Sequence, residues 1–161
     1  MKLTKYHGLS PQESQELFES LDQLLADFQV AEENAKKLYW NLELKPYFDF
    51  HKRLGQLYEA SRIGSNVVAD NIMRLGHTPE SSEVTALTKS HIQPIEGVET
   101  FEDACMLIVN NSRELLQSVK EVFQKATEYQ EQYTIALMSR LAHQLAMNIH
   151  FFLSMRSAMM N

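Results

Sequence analysis

Residues 76–99, Gly-His-Thr-Pro-Glu-Ser-Ser-Glu-Val-Thr-Ala-Leu-Thr-Lys-Ser-His-Ile-Gln-Pro-Ile-Glu-Gly-Val-Glu, decide the topology of this 161-residue chain. The stretch carries Gly76, Pro79, Pro94 and Gly97 and is the only long interruption between helical patterns. Extended chain reaches roughly 3.3 Å per residue, so a link of this length runs the full height of a helical bundle. The helices on either side of it are then free to be parallel. Residues 81–89 have the pattern of a short helix inside the link, with Ser81 or Ser82 as its cap.

Working outward, helical periodicity holds on both sides and no segment alternates with period two. Upstream, Leu17, Leu21, Leu24, Phe28, Ala31, Ala35, Leu38 and Leu42 follow a 4-3 spacing, one apolar seam on a long helix. Ser10, Pro11 and Glu13 form a helix-start signature, cap, first-turn proline and capping box. After a short break at residues 44–46, Leu54, Leu57, Ser61, Gly64, Val68, Ile72 and Leu75 mark a second inner stripe. A mid-helix glycine costs about 1 kcal/mol against alanine, so Gly64 is expected to admit a neighbouring helix closely. Downstream, Phe101, Cys105, Ile108, Ser112, Leu115, Val119, Val122 and Ala126 repeat the pattern behind Thr100 as a cap. The last segment, about 132–159, is apolar on more than one side, with Leu137, Leu141, Leu145, Ile149 and Phe152 flanked by Ile135, Met138, Ala142 and Ala146. That width predicts burial from two directions, the second being another subunit. Short breaks within each pair and one long link between the pairs predict an all-α, ferritin-like four-helix bundle. The chain reads as one domain, with residues 1–9 as a short tail.

Composition is consistent with this reading. Hydrophobic residues make up 44 % and charged residues 22 %, a globular balance. The net charge of −6 argues against a protein that holds DNA chiefly by neutralising phosphates. No apolar run is long enough to cross a membrane, and the first residues lack a secretory pattern. A single cysteine, Cys105, lies on an apolar seam and is expected as a small buried hydrophobe. A cytoplasmic location is expected. His143 and His150 stand two turns apart on the last helix, without carboxylates to partner them as metal ligands. No histidine has glutamate three residues before it, which removes the Glu-x-x-His signature of within-subunit di-iron centres.

Several fragments, in order, resemble one family. Leu24-Leu25-Ala26-Asp27-Phe28-Gln29-Val30, Tyr39-Trp40-Asn41, Tyr47-Phe48-Asp49-Phe50-His51, Gln56-Leu57-Tyr58-Glu59, Ile72 to Pro79 and Thr134 to Met138 are similar to the Dps-type mini-ferritins, over about Gly8 to Leu153. The resemblance implies a dodecameric shell that stores iron and protects DNA, oxidising ferrous ions at dinuclear sites between two-fold-related subunits.

Carried over position by position, the ligand set is poor. The family's first histidine falls on Tyr39 and its second on His51. An acidic residue one turn later falls on Gly55, its aspartate on Asn66 and its glutamate on Asp70, while the site's tryptophan is Trp40. Ferric iron favours anionic ligands, and a phenol with a reference pKa near 10 is neutral at pH 7. The conventional ferroxidase is therefore expected to be lost or weakened. Tyr39, His51 and Asp70 remain as a candidate mononuclear ferric set, iron being the one cofactor in view; the bland alternative is helix packing and subunit contact. Lys2, Lys5 and the weakly basic His7 are the basic residues of the tail and a thin basis for DNA binding. Two functions stand at this point. One is a Dps-like subunit in iron sequestration and stress protection; the other is a structural or DNA-associated shell that handles no iron.

Overall fold

The computed structural model of the chain describes residues 7–41 and 48–160. Among the described residues five helices follow one another: α1 Pro11–Asn41, α2 Phe48–Arg74, α3 Glu83–Lys89, α4 Phe101–Glu128 and α5 Gln132–Met160. The four long ones hold 27 to 31 residues each, about 40–46 Å at 1.5 Å per residue. The predicted bundle, its crossover and the short helix within it are all present. Among the described residues no helix is long and apolar enough to cross a membrane.

Local signals fix the helix ends. The Ser10 amide donates to Glu13 Oε2 at 2.7 Å and the Glu13 amide to Ser10 Oγ at 3.2 Å, closing the reciprocal box. Ser82 caps α3 through the Thr85 amide and Thr100 caps α4 through the Asp103 amide. The α4–α5 turn places Gln130 at φ 55°, the left-handed geometry that ends a helix and reverses the chain. Pro46 and Leu42, read above as break and seam end, lie outside the described residues, as do Lys2 and Lys5.

α1 and α2 pack side by side, as do α4 and α5, with α1 also against α4 and α3. Gly64 allows the first pairing to be close. A Cβ there would lie 2.8 Å from Phe28 Cδ1 and nearer still to Cε1, so the ring occupies the space a side chain would need. Cys105 is fully buried, as expected.

The core forms two clusters along the bundle. One gathers Leu17, Leu21 and Leu24 with Ile72, Val122 and Met138, and the other gathers Leu38, Phe50, Leu54, Val109 and Phe152. Complete burial of each large side chain contributes about 1.5–3 kcal/mol.

The crossover is held by buried polar groups of α1. Asp27, with no exposed surface, accepts from Ser118 Oγ at 2.6 Å, from the His91 amide at 2.7 Å and from Ser90 Oγ at 3.0 Å. Two turns on, buried Asn34 donates to the Gln93 carbonyl at 2.9 Å and accepts from the Ile95 amide at 3.0 Å. Asp22 pairs with Lys89 at the end of α3. One α1 face thus supplies the donors and acceptors that an irregular segment lacks.

Candidate metal centre

The Dps-like ligand positions fall into two groups. Tyr39, in the last turns of α1, meets the start of α2 at His51 and Gly55. Its ring stacks on His51, centroids 4.5 Å apart and planes inclined by 22°. The same ring covers Gly55, where a Cβ would meet Tyr39 Cε2 at 3.1 Å and Cζ at 3.4 Å. A larger residue at position 55 would have to push the phenol aside.

His51 has one nitrogen already committed. Nε2 lies 3.1 Å from the Tyr39 main-chain oxygen. A carbonyl can only accept, so Nε2 carries the proton and the neutral ring keeps its lone pair on Nδ1. Tyr39 therefore restrains His51 twice, by ring and by backbone.

Asn66 and Asp70 form the second group, one turn apart and exposed on α2. His51 and Asp70 are separated by 19 residues of one helix, roughly 28 Å at 1.5 Å per residue. A single subunit cannot bring them to one ion; only a second copy could place Asp70 near His51. Among the described residues of one chain, no three His, Cys, Asp or Glu gather as a metal-binding cluster. Tyr39, His51 and Gly55 are thus brought together, and Asp70 is not.

The surroundings are open and mostly apolar, with Lys52, Gln56 and Glu59 also at the border. A groove of about 740 Å³ runs over the site, bordered by Tyr39, Phe48, His51, Gly55, Tyr58 and Ile63. Phe48 is 79 % exposed, Trp40 68 % and Ile63 50 %. The Lys36 ammonium sits 5.3 Å from the Trp40 ring centroid, a cation–π arrangement. One turn before Lys36, Glu32 receives a hydrogen bond from Ser65 Oγ at 3.2 Å. Burial raises its carboxyl above the ordinary range against the pull of that bond.

The middle of the bundle, where a within-subunit di-iron centre needs inward carboxylates, presents Ser61, Asn111, Ser112, Gln144 and Asn148 instead. His143 and His150 are exposed on α5.

A Dps protein from Vibrio cholerae O1, described as a member of a broad superfamily of ferritin-like diiron-carboxylate proteins, superposes with a TM-score of 0.87. It is 23 % identical, and the match covers 91 % of this chain and 92 % of that one. The fold is that of the Dps proteins. A Dps protein from Bacillus brevis superposes on the Dps-like chain with a TM-score of 0.85 at 17 % identity, covering 91 % of this chain and 99 % of the other. In sequence, a DNA protection during starvation protein from Porphyromonas gingivalis is 22 % identical over 137 residues, 85 % of this chain and 86 % of its own. No family model matches the sequence.

Sequence reading missed the Asp27 node and Glu32. Both had a visible signal, since Asp27 adjoins the seam residue Phe28 and Glu32 adjoins Ala31. A carboxylate beside an inward position is one that packing is apt to enclose.

Proposed function

We propose that the Dps-like chain is a subunit of a cytoplasmic dodecameric shell that sequesters iron and protects against oxidative or starvation stress, with its conventional two-fold ferroxidase centre disabled. The observation that carries this is the Tyr39 ring lying across Gly55. Space that an acidic ligand would need is filled by an aromatic ring; the His51 bond to main chain leaves Nδ1 free and is neutral on the point, since a ligating imidazole commonly holds a carbonyl with its other nitrogen. Replacement of carboxylates by Gly55 and Asn66 removes the negative charge that a ferric pair requires. The exposed apolar groove around Phe48 and Ile63 supports coverage by a second copy, because large exposed apolar patches mark contact surfaces.

If iron enters such a shell, it is cargo, and its oxidation occurs on the mineral or on a competent paralogue assembled into the same shell. A candidate ferric set of Tyr39, His51 and a neighbouring subunit's Asp70 would need the Tyr39–His51 stack to open, so packing is the role preferred here for those side chains. DNA association through Lys2 and Lys5 is a weaker part of the reading, given the net charge of −6.

Ferrous iron added to the purified assembly, with peroxide or air as oxidant, tests this. The expected result is oxidation no faster than in buffer at low loading, and a mineral core visible by electron microscopy after gradual loading. Saturable, rapid oxidation at low iron overturns the disabled centre. An intact shell that stays empty at every loading favours the structural, iron-free alternative.

A further inference from the structure

The two core clusters do not meet cleanly. Between them lies a cavity of about 40 Å³ at mid-bundle, bounded by all four long helices. Small side chains make the space: Ala31 and Ala35 on α1 and Ala60 on α2 stand at its wall. Phe28, Ile108 and Leu145 supply its apolar sides.

Its polar lining is unusual. Ser61 and Ser112 face one another's helices across the cavity and are only 7 % and 3 % exposed. Neither hydroxyl hydrogen-bonds to another described residue, and the amides of Asn111, Gln144 and Asn148, which also line the space, are equally uncommitted. Elsewhere in this protein, helix hydroxyls such as Ser20 and Ser139 bond back to the carbonyl four residues earlier. Ser61 and Ser112 do not, and neither oxygen is sealed off from a water-sized molecule.

From this geometry we infer that the cavity is an internal binding site for a small neutral hydrogen-bonding ligand, occupied by a cluster of two or three water molecules. Size sets the upper limit. At 10–15 Å³ per water, the space holds roughly three, and an aromatic guest needs a cavity on the order of 150 Å³. Charge sets the class. Among the described residues no Asp, Glu, Lys, Arg or His borders the cavity, so a cation or an anion finds no counter-charge there. Hydroxyls and carboxamides both donate and accept, which suits water and molecules like it. Entry is by way of Ala60 and Gln144, the lining residues that are exposed. The inference rests on the bundle alone and is independent of the fate of the ferroxidase positions.

High-resolution crystals of the full chain, with and without xenon under pressure, test it with water and xenon as the probes. Ordered water peaks about 2.7–3.2 Å from both Ser61 Oγ and Ser112 Oγ are expected, with no xenon in the cavity. Empty density at the two oxygens, with xenon seated between them, overturns the proposal. The double variant Ser61→Ala/Ser112→Ala keeps helix-compatible residues and should fold. In it the peaks are expected to vanish and xenon to enter. Water peaks unchanged in that variant would equally overturn the assignment to the hydroxyls.

Discussion

The ring of Tyr39 occupies the space above Gly55: a Cβ at position 55 would lie 3.1 Å from Tyr39 Cε2. Ring and glycine are therefore one packing solution, since the large side chain on α1 uses the room that the glycine leaves on α2. Gly55→Asp alone is expected to destabilise the protein by about 1–3 kcal/mol, as overpacking does. Tyr39→His/Gly55→Asp should recover most of that loss, giving a coupling energy in a double-mutant thermal-denaturation cycle. Additive effects of the two changes would show that ring and glycine do not share the space.

Gly64 makes a second such pair with Phe28. Helix propensity alone predicts that Gly64→Ala stabilises α2 by about 1 kcal/mol. The packing predicts the reverse, because the new methyl group enters the Phe28 ring. A net loss of about 1–3 kcal/mol is expected, with partial rescue by Phe28→Leu. Chemical denaturation of the three variants decides the sign, and a simple gain for Gly64→Ala would refute the close approach.

The bundle was legible because its information is repeated along the chain. Each long helical segment carries at least five apolar positions in register, and the two proline- and glycine-marked ends of the 76–99 link leave little choice of topology. Caps at Ser10, Ser82 and Thr100 were legible because their chemistry is local. The candidate site was half legible. A pattern of positions shows that Gly55 and Asn66 offer no carboxylate, but not that the Tyr39 ring turns onto Gly55 or that its carbonyl takes His51 Nε2. Those depend on the angle at which α1 meets α2, which periodicity does not encode. The separation of His51 from Asp70 was computable from helix rise once both were placed on one uninterrupted helix.

Asp27 holds the crossover through several donors at once, so its removal has a regional consequence. Asp27→Ala leaves the Ser118 and Ser90 hydroxyls and the His91 amide facing each other without their acceptor. Each unsatisfied buried group costs about 1–3 kcal/mol, partly relieved where water enters. Residues 77–99 are expected to loosen before the four long helices do. Limited proteolysis should cut the variant first within that segment, at conditions where the parent resists and far-ultraviolet circular dichroism of both is the same. Cleavage distributed evenly over the helices would instead mean that Asp27 stabilises the bundle as a whole.

Glu131 provides the acid response. Its side chain is buried at the α4–α5 turn. Burial alone would raise its pKa, but the Thr134 side chain, Arg74 at 2.9 Å and the Thr134 main-chain amide at 2.8 Å together outweigh burial and hold it below the ordinary 4.5. A carboxylate whose folded pKa is depressed contributes stability that is complete above its unfolded pKa and disappears as pH falls through the folded one. The contribution is therefore intact at neutral pH, begins to fall below about 4.5 and is gone once Glu131 is protonated in the folded protein. Arg74→Met removes the charged donor and leaves the carboxylate enclosed with fewer partners, which is expected to cost about 1–3 kcal/mol at pH 7. The gap between variant and parent should shrink as the pH drops from 5 toward 3, when the parent loses what the variant never had. Thermal melting of both proteins across that range measures it. A constant gap at every pH would assign the Arg74 effect to its packing on the Tyr133 ring, 3.9 Å from the guanidinium carbon, rather than to the ion pair.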